Sequence, residues 1–335
     1  MFKTEFFSRI LYKMTVFHGV ELDVEYKEND IKHSILNNDL LEPKLNVIVV
    51  ISNPCLYVRR YLLFKEFMKR MENEEHVALY VVEMIYPDQQ FVVTDQRKNH
   101  LQIKSEIPIW HKENMVELGL KLLPKDYKAF AWVDADIEFE SCTWAADALR
   151  LLNGSKDVVQ LFSHCVDMAK DETTMTVFNG FGYSYSKGQK YTTQGKDYWH
   201  PGYAWAMTRK AYEKVGFYDK GILGSGDSIM ALSFVNRVHG MTNPLYDQGY
   251  NDSMFEFQKK ACTLRLGYVP TVIRHYFHGT KADRQYTERW KILMEHKFNP
   301  ARDLTYDAEG VLVANISQEF AQAIMAYFEQ RREDN

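Results

Sequence analysis

The chain has 335 residues, a length that suits one large domain or two modest ones. Hydrophobic residues make up 46% and charged residues 26%, which excludes a disordered or a fibrous protein. The net charge of −4 disfavours a protein that coats nucleic acid, and four cysteines without a CxxC pair disfavour a disulfide framework or a cysteine-bound zinc.

The first half of the chain alternates strand and helix patterns after a charged, weakly periodic segment over 1–44. In chain order, the hydrophobic pattern predicts strands over 45–51, 77–85, 91–94 and 129–133, with helices around 61–71 and over 112–122. The alternation over 45–162 predicts an α/β fold, in which one large domain has a twisted, mostly parallel sheet flanked by helices. In such sheets ligands bind at the carboxyl ends of strands, where we expect Ser52, Trp110 and Asp134.

The second half of the chain is less regular. In chain order, we expect a polar loop over 178–202, a glycine-rich turn over 221–227, a helix over 228–238, a strand over 268–277 and helices over 282–296 and 316–331. Neither a secretory signal nor a run of about 20 apolar residues occurs, so the sequence predicts no integral membrane span and a cytoplasmic protein.

A pair of carboxylates follows the predicted strand 129–133. Asp134 and Asp136 stand one residue apart between apolar stretches, where unpaired charges would be costly. They either cap a nearby helix or bind a divalent cation, and their setting favours the cation. Because Mg²⁺ and Mn²⁺ take oxygen ligands and bridge them to phosphates, the pair predicts a Mn or Mg site.

Five segments follow one another in an order typical of one enzyme family. They are Ile51-Ser52-Asn53, Trp110-His111-Lys112-Glu113-Asn114, Asp134-Ala135-Asp136, the run from Pro201-Gly202 to Asp219 that leads into Gly224-Ser225-Gly226-Asp227, and His278-Gly279-Thr280-Lys281. Together they resemble the glycosyltransferases of the GT-A fold, over most of the chain from about residue 46 to residue 290. The run that begins at Pro201 is similar to a segment of galactosyltransferases, and similar divergent members occur in phages and large DNA viruses.

The resemblance implies roles for residues in these segments. The nucleotide-sugar donor would contact Ser52, Asn53, Trp110, Lys112, Asp134, Gly202 and Lys281, and the metal would be held by Asp134, Asp136 and His278. Two features depart from the family. The acidic segment reads Gly-Asp-Ser, so the usual acceptor-contacting Glu is absent, and Gly202 stands alone where the family has a glycine pair.

Asp227 and His278 each have a second interpretation. Asp227 precedes a predicted helix, so it is either the N-cap of that helix or the general base that takes a proton from an acceptor hydroxyl. The resemblance favours the base. In a regular strand His275 and His278 face opposite sides, so we expect only one to be a ligand and select His278, where Gly279 permits close approach of a phosphate.

These observations together predict a metal-dependent hexosyl- or pentosyltransferase. It would move a sugar from a nucleoside diphosphate sugar, with a UDP-sugar as the expected donor, to a hydroxyl of a glycan, a protein or modified DNA. The chain then divides into an accessory segment (1–44), a nucleotide-sugar-binding half (45–162), an acceptor-binding and catalytic half (163–300) and a helical extension (301–335). The alternatives are an inactive sugar- or nucleotide-binding protein and a glycosyltransferase that acts on modified DNA.

Overall fold

The structure is a computed structural model that describes residues 38–171, 173, 175–193, 197–280, 283 and 288–334. Most of the predicted accessory segment, residues 1–37, therefore lies outside the described residues, and so does Lys281. Among the helices that the structure describes, none combines the length and the apolar character that crossing a bilayer requires.

The described residues form strands and helices in mixed order. The strands are β1 (Leu45–Ser52), β2 (Val77–Ile85), β3 (His100–Lys104), β4 (Ala129–Val133), β5 (Ile137–Phe139), β6 (Val158–Gln160), β7 (His164–Met168), β8 (Met175–Gly180), β9 (Trp199–His200), β10 (Ala204–Thr208), β11 (Leu266–Tyr268), β12 (Val272–His275), β13 (Leu304–Tyr306) and β14 (Leu312–Ala314). The helices are α1 (Val58–Met71), α2 (Lys112–Gly119), α3 (Trp144–Leu152), α4 (Phe181–Ser186), α5 (Arg209–Val215), α6 (Gly226–Phe234), α7 (Gln248–Ala261), α8 (Glu288–Glu295), α9 (Pro300–Asp303) and α10 (Gln318–Gln330).

The main sheet has the strand order β11-β6-β10-β4-β1-β2-β3 within the described residues. Four of its six neighbouring pairs are parallel, and β10 runs antiparallel to both of its neighbours. Strands β1 and β4 are almost wholly buried because helices cover both faces of the sheet. The predicted α/β fold with a mostly parallel sheet flanked by helices is confirmed.

Two hydrophobic clusters pack on opposite faces of this sheet, as the alternation of side chains along β1 shows. Ile48 belongs to one cluster, which includes residues of α2, α6, α7 and α10. Val47 and Val49 belong to the other, which includes residues of α1 and α3. Helix α10, in the predicted helical extension, therefore packs into the same core as the sheet.

A second sheet, β5-β12-β7-β8-β9, places several polar residues side by side. Strand β12 is parallel to β7, and this register pairs His275 with Asp167. On its other edge β12 pairs with β5, where His275 lies opposite Ile137, the residue after Asp136. The register alone thus brings an imidazole between two carboxylates.

Several predicted element bounds are wrong, and each has a local cause. Residues 91–94 form no strand, because the buried Glu83 carboxylate accepts hydrogen bonds from the backbone of Val92, Val93 and Thr94. The edge strand is β3 instead. The predicted strand 268–277 is divided between β11 and β12 at Pro270, which has no N–H to donate to a ladder.

Two further predicted bounds, both in the second half of the chain, differ from those of the structure. The predicted polar loop 178–202 contains the end of β8 and helix α4. Helix α6 begins at Gly226 rather than at Ser228. Asp227 therefore lies inside the first turn of this helix, not at its cap.

Candidate active site

A cavity of about 790 Å³ opens at the carboxyl ends of β1 and β4. Every predicted site residue that the structure describes lines it: Ser52, Asn53, Trp110, Lys112, Asp134, Asp136, Gly202, Asp227 and His278. These residues come from distant parts of the sequence. The parallel strands β1 and β4 bring Ser52 and Asp134 to one edge of the sheet, and helices and loops bring the others there.

Asp134 and Asp136 occupy the short connection between β4 and β5. The Asp134 N–H donates to the Tyr203 carbonyl at 2.8 Å, and the Asp136 carbonyl accepts from the Tyr276 N–H at 2.8 Å. The backbone on either side of Ala135 is thus fixed by its neighbours. The two carboxylates have different partners as a result.

Asp136 forms a compact cluster with two histidines. Its Oδ2 atom lies 2.7 Å from His278 Nε2 and 3.8 Å from His275 Nε2, and the two Nε2 atoms are 3.4 Å apart. The prediction that His275 and His278 face apart is wrong. Strand β12 ends at His275, so the alternation of a regular strand does not extend to His278.

Each of these imidazoles also has a carboxylate beside its other nitrogen. His275 Nδ1 lies 2.7 Å from Asp167 Oδ1, and His278 Nδ1 lies 3.4 Å from Glu333 Oε2. Sequence reasoning missed His275, Asp167 and Glu333. No local pattern relates Asp167 to His275 or Glu333 to His278.

The cluster of Asp136, His275 and His278 fits a divalent metal. One ligand atom from each residue can be chosen so that all three lie within 4.8 Å of one another. One carboxylate and two imidazoles suit a transition metal such as Mn²⁺ better than Mg²⁺, which prefers oxygen ligands. Of the two predicted metals, the donor set therefore favours Mn²⁺ over Mg²⁺.

Asp134 belongs instead to an ion pair with the Lys112 Nζ atom at the start of α2. Burial alone would lower the pKa of Lys112, but the carboxylates of Asp134, Asp227 and Glu113 outweigh it and raise that pKa. Burial raises the pKa of Asp134, and Lys112 opposes the rise. Burial also raises the pKa of Glu113 to about 8, against the opposing charge of Lys112.

Asp227 faces the cavity from the first turn of α6. Its Oδ1 atom accepts a hydrogen bond from the Ser228 N–H at 2.7 Å. A Cβ atom on Gly202 would lie 2.9 Å from Asp227 Oδ2 and 3.0 Å from His200 Cε1. The glycine thus lets the β9–β10 connection lie directly against the carboxylate.

The opposite wall is formed by Ser52, Asn53 and Trp110. The buried Asn53 side chain accepts from the Tyr57 N–H at 3.0 Å and donates to the Tyr57 carbonyl at 2.9 Å. These two hydrogen bonds stabilise the turn that follows β1. The Trp110 N–H donates to the Ile222 carbonyl at 2.8 Å, and the Arg331 guanidinium lies over its ring at 5.3 Å from the centroid.

No protein-family model and no curated protein matches the chain. One similar solved structure is the catalytic domain of Drosophila β1,4-galactosyltransferase 7 in complex with xylobiose. The two chains share 10% identity and a TM-score of 0.37, and the match covers 82% of this chain and 94% of that chain. GalNAc-T7 with UDP, GalNAc and Mn²⁺ is similar at 11% identity and a TM-score of 0.39, over 71% of this chain and 44% of that chain.

A third similar structure is glucosyl-3-phosphoglycerate synthase from Mycobacterium tuberculosis in complex with Mg²⁺ and UDP. It shares 8% identity and a TM-score of 0.36, over 82% of each chain.

Proposed function

We propose that the chain is a metal-dependent glycosyltransferase that moves a sugar from a nucleoside diphosphate sugar, with a UDP-sugar as the expected donor, to an acceptor hydroxyl. One observation carries the proposal: a metal-binding donor set, the aromatic wall at Trp110 and the carboxylate of Asp227 share one cavity at the carboxyl edge of the sheet. At about 790 Å³, the cavity is within the range of about 300–1,000 Å³ that is usual for small-molecule sites.

The metal site of this proposal consists of Asp136, His275 and His278. A divalent cation held there would stabilise the negative charge that develops on a departing diphosphate. Asp134 forms an ion pair with Lys112, and the cluster itself consists of Asp136, His275 and His278. We therefore propose that Asp134 binds the donor by accepting hydrogen bonds from hydroxyl groups of the sugar nucleotide. Lys112 would balance the negative charge beside the diphosphate.

Asp227 is the proposed general base. One of its oxygens accepts from the Ser228 N–H, and the other lies against the backbone of Gly202, beside the His200 ring. A carboxylate in that position can take the acceptor proton as the new glycosidic bond forms. A base on the face of the sugar opposite the diphosphate gives inversion of the anomeric centre.

A panel of nucleotide sugars with Mn²⁺, scored by the release of nucleoside diphosphate, tests the proposal. The panel contains hexosyl and pentosyl donors, with glycan, protein and modified-DNA acceptors. We expect release from at least one donor, loss of release in Asp136→Asn, and retention in Asp252→Asn, which makes the same change at an exposed position on α7 that does not line the cavity.

The alternatives give different results in the same panel. Binding of UDP and Mn²⁺ without release from any donor would indicate an inactive binding protein. Release that requires modified DNA and weakens steeply with salt would indicate a nucleic-acid acceptor. Neither binding nor release would contradict the proposal.

A further inference from the structure

Residues 331–334, which follow helix α10, fold back over the metal cluster of the candidate site. The Tyr57 hydroxyl accepts from the Arg332 N–H at 3.1 Å and donates to the Phe328 carbonyl at 2.9 Å. The Asp334 carboxylate accepts from the N–H groups of Val58 and Arg59, at 3.0 and 2.8 Å, at the start of α1. These hydrogen bonds hold the segment against the connection between β1 and α1, which forms one wall of the cavity.

The same segment lies against the backbone beside His278. Gly279 has a φ of +90°, and a Cβ atom there would lie 3.0 Å from Glu333 Cα and 3.2 Å from the Arg332 carbonyl. A side chain at this position would thus require a strained backbone conformation and would lie in tight contact with the backbone of residues 331–333. The absence of a side chain at Gly279 lets the segment that carries Glu333 lie directly against this backbone.

The Glu333 carboxylate is wholly buried, yet it is surrounded by cationic and polar groups. Its Oε1 atom accepts from Arg331 Nε at 2.6 Å, and its Oε2 atom lies 3.5 Å from Arg60 Nε and 3.4 Å from His278 Nδ1. Arg331 is fixed in turn by Tyr327, whose hydroxyl accepts from Nη1 at 3.1 Å. The carboxylate is thus held rigidly on the side of His278 that faces away from Asp136.

His275 also has a carboxylate at its Nδ1 atom, at a shorter distance. His275 Nδ1 lies 2.7 Å from Asp167 Oδ1, while its Nε2 faces the cluster. Each imidazole therefore has a carboxylate at Nδ1 and directs Nε2 toward the same point. In metal sites, such a carboxylate accepts a hydrogen bond from the Nδ1–H, which fixes the tautomer and the ring orientation and leaves the Nε2 lone pair for the metal.

We propose that Glu333 is a positioning residue of the metal centre: it holds the Nδ1–H of His278 so that Nε2 is presented to the metal, as Asp167 does for His275. The proposal rests on the metal site of the proposed function. It makes residues 331–334 part of the active site, although they are about 55 positions beyond His278 in the sequence.

Direct titration of the full chain with Mn²⁺, followed by the electron paramagnetic resonance signal of free Mn²⁺, tests this role without any turnover. Loss of an outer carboxylate typically weakens metal binding about 10- to 100-fold, and we expect losses in that range for Glu333→Ala and smaller ones for Glu333→Gln. Titration with Co²⁺ adds a readout of geometry, because a reoriented His278 changes the visible absorption bands of the bound ion.

Glu329→Gln is the matched control. It makes the same charge change four residues earlier, where the exposed side chain does not line the cavity. We expect its Mn²⁺ affinity and Co²⁺ spectrum to equal those of the parent chain. If Glu333→Ala does not fold, as judged by circular dichroism, Glu333→Gln still carries the test, because it fills the same volume and gives Arg331 an acceptor oxygen.

Two outcomes would overturn the proposal. One is unchanged Mn²⁺ affinity and an unchanged Co²⁺ spectrum in folded Glu333→Gln. The other is tighter UDP binding in the Glu333 variants with unaltered metal affinity, which would make Glu333 an internal occupant of the diphosphate position. If the parent chain binds neither Mn²⁺ nor Co²⁺, the metal site of the proposed function fails, and this result is distinct from the other two.

Discussion

Replacing Gly202 by Ala should slow turnover by displacing the proposed base. The new Cβ would lie 2.9 Å from Asp227 Oδ2, about 0.5 Å short of the 3.4 Å at which ordinary contacts begin. The His200 ring, 3.0 Å away on the other side, hinders a shift of the backbone in the opposite direction. The carboxylate must therefore move by roughly half an ångström.

The size of the effect follows from this displacement. A misplacement of about 1 Å can cost about 100-fold in rate, so half of it predicts a loss of about tenfold in kcat. The close contact also costs about 1–3 kcal/mol in the free energy of unfolding. Binding of Mn²⁺ should change little, because the new Cβ would contact Asp227 and His200 rather than the metal cluster.

Steady-state kinetics on the donor found in the panel, with calorimetric titration of UDP and Mn²⁺, measures both quantities. Gly240→Ala is the control, because the nearest atom to its new Cβ is Leu232 Cδ1 at 4.0 Å, an ordinary contact. In the double variant with Asp227→Asn, Gly202→Ala should have no further effect on kcat, since it acts through that carboxylate. An unchanged kcat in Gly202→Ala, or a full additional loss in the double variant, would refute the reasoning.

Three further predictions concern the base, the metal and a buried acid outside the site. Asp227→Asn should lower kcat about 100- to 10,000-fold while UDP–Mn²⁺ binding survives, and near-normal turnover would leave Asp227 a purely structural residue of α6. Mn²⁺ should bind more tightly than Mg²⁺, and His275→Ala should weaken Mn²⁺ more than Mg²⁺ in the same titrations; equal losses for the two ions would exclude His275 as a ligand. Burial, with Asp219 adding to it, raises the pKa of Glu117 to about 7 from the ordinary 4.5. Because the folded chain then holds a proton that the unfolded chain releases, the free energy of unfolding should fall by up to about 1 kcal/mol per unit as pH rises between these values. Glu117→Gln should remove that part of the slope in denaturant titrations, and an identical slope in both chains would contradict it.

The parts of the site that could be predicted from the sequence are those with a local pattern. Asp134 and Asp136 follow a continuous apolar run, and such a run indicates a buried strand whose end lies at the ligand-binding edge of a sheet. The same reasoning located Ser52 at the end of β1. In both cases the relevant neighbours are a few residues away in the chain.

The parts that could not be predicted depend on where chain segments stop or return. His275 was excluded because a strand to Phe277 was assumed, whereas β12 ends at His275 and the following turn brings His278 back to the same side. Asp167 is adjacent to His275 only through the register of β7 and β12. Glu333 reaches His278 because α10 packs into the core and directs residues 331–334 back toward α1, and no periodicity in the sequence expresses that return.

The same limit explains the wrong strand at 91–94. Its residues have the composition of a strand, but their N–H groups are bound by a carboxylate at position 83 instead of by a neighbouring strand. A buried Glu within an apolar strand indicates that some nearby segment must donate hydrogen bonds to its carboxylate. Its partner segment nevertheless cannot be read from the pattern alone.

The central claim is that the cluster of Asp136, His275 and His278 holds the metal of a nucleotide-sugar site. Anomalous diffraction at the manganese absorption edge, from crystals grown with UDP and Mn²⁺, tests it most directly. The account predicts a strong anomalous peak within coordinating distance of all three side chains and in contact with the UDP diphosphate. A peak elsewhere in the molecule, or UDP bound in this cavity with no metal at the cluster, would contradict it.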